Sequence, residues 1–418
     1  MPGRGRPTGI LRDAVAHGPP SWKNRPEGAA GIVPAARPAN ERSDNMSTFV
    51  PFAVERFLSR TEHGVRYNFS ESGVHPMRYR DLLEMAGADP ATLLDARADY
   101  PQVNGTGALR AAIAALYPGA GPGNVLVTIG ATEANTLAAQ VLTGMAGATV
   151  ALRPTYAQFA GNVANLGREV RHVDLDPADW SLDADALARA ASGAGVIHVV
   201  NPGNPTGRVM PAEERRALVE IAAREGAWIV ADEVYAGAER TGNAATPTFW
   251  GEGERVVAIN SLSKVYGLPG LRLGWMVAPE EVIEAAWRRH EYAAIAAPDL
   301  SMRLAELALR PDVRAQLTQR ARGLIRRGFD RLQAAVDGLG LAVRPPDASA
   351  MSFVRIDEGM GSEALAQDLL DRQDLLVVPG ALFGAEGFIR FSSALPDAHL
   401  DEGLRRLGEE VGRIRAGR

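Results

Sequence analysis

The 418-residue chain contains no cysteine. That absence excludes disulfides, thiolate metal sites and cysteine nucleophiles, and it fits a reducing cytoplasm. No run approaches the roughly 20 apolar residues that a membrane helix needs. An excess of positive charge is also missing. The formal net charge of -5 gives no general attraction to nucleic acid or to anionic membranes. Residues 1–45 are rich in Pro, Gly, Arg and Ala but lack periodicity and the apolar core of a secretory signal. Their composition predicts a disordered extension, with helical patterning starting at Met46. Residues 1–50 are too short and too rich in Pro and Gly to build a basic helix-turn-helix, which argues against a regulator carrying a DNA-binding head. No internal repeat is visible.

What is present is the balance of a soluble globular protein, with 46% hydrophobic and 23% charged residues. One ordinary core cannot accommodate this length, so a large domain and a smaller one are expected. The expected division is an N-terminal segment over 46–95 that contributes to the active site and small domain, a large domain over 96–300, and a C-terminal domain over 301–418.

From about 105 to 280, helical stretches alternate with short apolar runs. LRAAIAALY (109–117) has helical spacing, NVLVT (124–128) reads as a buried strand, and a helix is expected from Glu133. Further strands are expected near 148–152, 196–200, 227–231 and 255–259. PAEERRALVEIAAREG places Pro211 at a first helical position and stops near Gly226. The alternation predicts an α/β fold with a mostly parallel sheet covered by helices. Beyond LRLGWMVAP come helical stretches at about 280–310 and 313–336. Short strands in LAVRP, SFVRI, LLVVPG and FIRFS then mix with helices, as in a separate α+β domain.

Ligands of open parallel sheets sit at the carboxyl ends of the strands, and four such ends stand out together. IGATEAN is a glycine turn running into a helix, which offers backbone N–H groups to an anion. NPGNPTG presents Asn204, DEVY puts Asp232 at the tip of an apolar strand, and SLSKVYGLPGLRLGW carries Lys264 between Ser261 and Arg272. An acid, a lysine and a phosphate cradle in one crevice meet the demands of pyridoxal 5'-phosphate. Lys264 would form the Schiff base, because a partly desolvated amine is neutral enough to attack an aldehyde. Asp232 would keep the ring nitrogen protonated. Gly130, Ala131 and Thr132 through their backbones, with Ser261, Ser263 and Arg272, would neutralise the phosphate. No metal enters this reading.

On these motifs, from about residue 95 to 415, the chain resembles the class I/II aminotransferases, which are fold-type I pyridoxal-phosphate enzymes. The resemblance implies that Asn204 and Tyr235 hydrogen-bond the cofactor's phenolic oxygen and that Tyr156, in RPTYAQF, stacks on its ring. It implies that Arg390, in FIRFSSALP, grips the substrate α-carboxylate as a bidentate pair. YPQVNGTGALR is similar to the stretch in which a tyrosine, here Tyr100, reaches the phosphate of the neighbouring subunit. A homodimer with shared active sites follows.

The substrate implied is an L-amino acid whose α-proton the freed Lys264 removes as general base. Transamination, side-chain elimination with cyclisation, or oxidation are open from there. NFSESGVHPMRYRDLL stands where relatives usually carry a G-x-P-D-like segment. With YGLPGLRLGW and LLVVPGALFG, it resembles the capreomycidine-synthase branch, which acts on hydroxylated arginine. Ser72, Gly73 and Glu71 of this stretch are candidate substrate contacts. Glu71 meets a guanidinium or is solvated. His75 either handles a proton in the reaction or caps local backbone as a loop histidine. NPGNPTGRV and DEVY have the forms expected of an ordinary transaminase, the second reading.

Overall fold

The computed structural model describes residues 49–144, 147–357 and 359–417; the expected extension over 1–45 lies outside them. Seven strands form the central sheet. Their spatial order is Val125–Thr128, Gly274–Val277, Val256–Ser261, Trp228–Asp232, Ala194–Val200, Ala148–Arg153 and Val170–Asp174. All neighbours run parallel except Gly274–Val277, which is antiparallel to both of its own. Strands buried on both faces read as continuous apolar runs, and VLVT and WIVAD are buried throughout.

Alternation along each strand divides the core in two. Val196, Val230 and Ile259 pack with Leu137 and Phe159 of the helices Gly130–Leu142 and Gln158–Asn165. Ile197, Ile229 and Ala231 pack on the opposite side with Leu187 and Leu218 of the helices Ala184–Ala191 and Ala212–Glu225. Asp232 shares the face of Val230, so its carboxylate emerges beside the second turn of helix Gly130–Leu142, at Asn135.

A smaller antiparallel sheet runs in the order Val378–Pro379, Phe388–Ser392, Met351–Arg355 and Ala342–Val343. It packs with the helices Pro311–Gly338, Ser362–Gln373 and Asp397–Ala416. The N-terminal segment joins this unit, because Tyr67–Asn68 pairs in parallel with Leu375–Leu376. Phe69 follows, fully buried against Gly403, where a Cβ would meet the ring at 2.0 Å. That contact fixes where the chain enters the crevice.

Three expectations are corrected. The helix after NVLVT begins at Gly130, not Glu133, and Pro211 is the N-cap rather than the first helical residue. The 280–310 stretch is two helices, Glu280–Ala293 and Asp299–Ala308. Ile295 takes φ 66° and Pro298 bars helix from the residue before it, so the chain turns there. The strands Val170–Asp174 and Gly274–Val277 were not expected. The first is an edge strand with only one fully buried position, Val173, so it shows no apolar run. Among the described residues, no helix is long and apolar enough to cross a membrane.

Glu233, beside Asp232, is buried, and its Oε1 accepts from Phe249 N at 2.6 Å and Thr248 Oγ1 at 2.9 Å. Burial pushes its carboxyl up from 4.5 to about 7. A carboxyl raised on folding favours the folded state most when protonated. Its contribution therefore falls as pH rises between those two values, by about 3 kcal/mol in all. Glu233→Gln keeps one acceptor oxygen and removes the charge. It should raise the melting temperature by several degrees near pH 8 and little near pH 5. Equal effects at both pH values would show that Glu233 is not protonated in the fold.

Candidate functional site

A cavity of about 390 Å³ opens at the carboxyl ends of the central strands. Lys264 enters it from the loop after Val256–Ser261, Asp232 from the neighbouring strand, and Asn204 from the loop after Ala194–Val200. Apart from Lys23, which lies outside the described residues, Lys264 is the only lysine in the chain. Burial pushes its ammonium below the ordinary value. Such an amine is neutral often enough to attack an aldehyde.

Asp232 is 4% exposed. Its Oδ2 accepts from Asn135 Nδ2 at 2.9 Å and its Oδ1 from Val234 N at 3.3 Å. Burial pushes the carboxyl up, opposed by those two donors and by the charge of Lys264. A buried carboxylate of this kind is completed by a cationic donor. Asn135 was not foreseen. It lies five residues past the glycine turn, and only the helix geometry turns it toward the acid.

The anion cradle lies at one end of the cavity. Helix Gly130–Leu142 has no side-chain cap, so its first N–H groups remain free. Gly130 has φ 70°, and a Cβ there would meet Arg272 Nη2 at 2.5 Å. A Cβ on Gly274 would in turn meet the Gly130 carbonyl carbon at 2.4 Å. Glycine at both positions lets the guanidinium and the helix start share one anion site. Arg272 Nη1 reaches Ser263 Oγ at 3.4 Å, and Ser263 N donates to Ser261 Oγ at 3.3 Å.

At the other end, Asn204 Nδ2 donates to Tyr235 OH at 3.2 Å, and burial pushes that phenol's pKa up. Arg390 Nη1 donates to Asn204 Oδ1 at 3.0 Å and Nη2 to Ser70 O at 2.6 Å, while Nε has no partner. Arg390 is 2% exposed, so it is not a surface ion-pair residue. Tyr156 lines the cavity in T-shaped contact with Phe52, at 4.8 Å between centroids. Its hydroxyl donates to Glu55 at 2.8 Å.

Phe52 and Glu55 come from the start of helix Ala53–Thr61, and neither was foreseen. Asn165 holds the approach to that helix, accepting from Val50 N at 2.7 Å and donating to Val50 O at 3.1 Å. A lone glutamate in PFAVERF carries no local sign of a site.

The stretch SESGVHP follows the short strand Tyr67–Asn68 as a loop with a bend at Gly73. Ser70, Ser72 and Val74 are buried, whereas Glu71 and His75 are exposed. Ser72 Oγ accepts from Lys264 Nζ at 2.8 Å. Gly73 packs on the lysine backbone, where a Cβ would stand 3.1 Å from Ser263 O. Glu71 is exposed and does not line the cavity, yet it is near enough to act electrostatically on Lys264, Tyr235 and Arg390. His75 is not brought to the cavity. Its carbonyl accepts from Arg320 Nη2 at 2.7 Å. Partial burial, then Arg320 and His399, push its imidazole down. Tyr100 is 88% exposed and does not line its own chain's cavity.

An amine, a buried acid, a phenol–amide pair and an anion cradle match the aldehyde, ring nitrogen, phenolic oxygen and phosphate of pyridoxal 5'-phosphate. Comparison with known proteins agrees. Residues 81–407 match the family model described as aminotransferase class I and II. The chain is 30% identical to capreomycidine synthase of Streptomyces vinaceus over 378 residues, which is 87% of this chain and 95% of that protein. A PLP-dependent aminotransferase from Streptococcus suis superposes with a TM-score of 0.82 at 28% identity, over 88% of this chain and 99% of that one. The PLP-dependent cyclase OrfR superposes with a TM-score of 0.79 at 27% identity, over 90% and 99%.

Borohydride treatment of the loaded protein should fix the cofactor's mass on the peptide containing Lys264 and on no other. Lys264→Ala should lose the lysine-linked visible absorbance. Persistence of that absorbance in the variant would remove Lys264 from the site.

Proposed function

From the premise that this chain belongs to the class I and II aminotransferases, fold-type I enzymes that take pyridoxal 5'-phosphate, we propose that it acts on an arginine-derived L-amino acid. A hydroxyarginine is the expected form, and loss of the hydroxyl with ring closure is the expected outcome. The observation that carries this reading is a pair of carboxylates near the amine: Glu55, which lines the cavity, and Glu71 of the SESGVHP stretch. Neither forms an ion pair among the described residues, yet both bear electrostatically on Arg390 and Lys264. Two carboxylates with no cationic partner among the described residues suit a guanidinium brought by the substrate. The likeness to capreomycidine synthase supports the same substrate class.

When bound, the cofactor supplies the electron sink for a bond broken at Cα. Its phosphate would be held by the N–H groups of residues 130–132, Ser261, Ser263 and Arg272. Asn204 and Tyr235 would donate to its phenolic oxygen, Asp232 would hold its ring nitrogen protonated, and Tyr156 would cover its ring. Arg390, with Nε still unpartnered, would bind the α-carboxylate and so aim the Cα–H bond at Lys264. Lys264 Nζ would then take the α-proton.

Amino-group exchange with a keto acid is the second reading, favoured by the forms of NPGNPTG and DEVY. Oxidation of arginine is a third outcome of the same assay. Incubation with arginine and hydroxyarginine, with and without an α-keto acid, separates them by product mass. Turnover of hydroxyarginine with water lost and no keto acid is the expected result. Strict dependence on keto acid would sink the cyclase reading, and oxygen uptake with arginine would replace it by oxidation. In the same assay, Glu55→Gln and Glu71→Gln should each raise KM about 10-fold or more, the effect of losing a charged hydrogen bond.

We also propose that two copies pair. Tyr100, Leu94, Tyr292, Ile295 and Leu300 are all exposed. Their segments adjoin, since His290 Nε2 lies 3.1 Å from Val103 O. The expected mass in solution is twice that of the chain, and Tyr100→Phe should weaken cofactor retention without changing that mass. A monomer that retains full activity would refute shared sites.

A further inference from the structure

The contact between Ser72 and Lys264 has a chemical use that the cofactor motifs leave unassigned. Ser72 Oγ accepts from Lys264 Nζ at 2.8 Å, and the residue is 7% exposed. Its hydroxyl also acts on the Tyr235 phenol. The backbone on either side is fixed. Val74 N donates to Lys264 O at 3.2 Å, and Val74 packs with Val265 and Ala394. Gly73 lies against Ser263 O and the Lys264 Cα. Ser72 is therefore built into the lysine segment and is not a mobile surface serine.

A hydroxyl donates and accepts at once, so it can take a proton from one side while releasing its own on the other. Of the other groups near Lys264, Asp232 faces Asn135 and Glu55 receives Tyr156, whereas Tyr235 receives Asn204 and shares its hydroxyl with Ser72. Glu71 acts on Lys264 through its charge, and His75 lies outside the cavity.

We propose that Ser72 relays a proton from Lys264 to the departing β-oxygen of the substrate. The proposal rests on the reading of a β-hydroxylated substrate. Lys264 takes the proton of the broken Cα–H bond and becomes an ammonium. The electron pair of that bond ends in a Cα–Cβ double bond, and the pair of the Cβ–O bond leaves with oxygen. The oxygen takes the Ser72 hydroxyl proton, and Ser72 takes one back from Lys264. The Cα hydrogen and the β-hydroxyl thus depart as water, Lys264 returns to the neutral amine, and no oxidant is consumed.

The test uses loaded enzyme with β-hydroxyarginine in deuterated water, following α-deuterium exchange and loss of water separately. In Ser72→Ala, exchange should stay within about threefold of wild type while water loss slows ~100-fold, the usual size of a general-acid contribution. Ser72→Thr, which keeps a hydroxyl, should recover most of the water loss. Without substrate, the midpoint of the pH titration of the visible absorbance should fall in Ser72→Ala, because the protonated nitrogen loses an acceptor. Exchange and water loss falling together would overturn the relay, as would an unchanged ratio or an unmoved midpoint. Failure of the substrate reading looks different. Wild type would then exchange the α-position and never release water, which would overturn the relay along with the reading.

Discussion

Withdrawal of the Lys264 amine from water lowers its affinity for a proton, and that desolvation sets the terms for the groups around it. The same burial acts oppositely on Asp232, raising its carboxyl. A half-buried amine and a buried acid in one crevice both drift toward their neutral forms. A cation placed against Asp232 reverses that drift for the acid without restoring water to the amine. The site is therefore shaped for a group that brings its own positive ring nitrogen to one end and its own anion to the other. The sheet makes this possible by ending the strands Val256–Ser261, Trp228–Asp232 and Ala194–Val200 side by side.

The residues legible in the sequence lie where a strand, a tight turn and a helix follow each other in the chain. Lys264, Asp232, Asn204 and the glycine turn at Gly130 were read that way, because local patterning alone puts them at strand ends. Asn135, Phe52 and Glu55 were not. Asn135 needs the helix rotation to face Asp232, and Glu55 needs a packing contact more than 100 residues away in sequence, with Tyr156. The edge strand Val170–Asp174 escaped for the related reason that exposure on one side erases a two-sided apolar run.

SESGVHP illustrates how residue type can mislead where geometry decides. The histidine draws notice because its ordinary pKa suits proton transfer. The fold, however, buries Ser72 and Val74 of this loop and leaves His75 exposed. The buried side of the stretch thus offers a hydroxyl to the lysine, while the outer side carries Glu71.

The clamp between Asn165 and Val50 joins the N-terminal helix to the body through a short stretch of chain. That helix contributes Phe52 and Glu55 and none of the cradle around Arg272. One wall of the pocket is consequently hung on two hydrogen bonds to a single asparagine side chain, while the lysine, the acid and the cradle belong to the sheet and its loops.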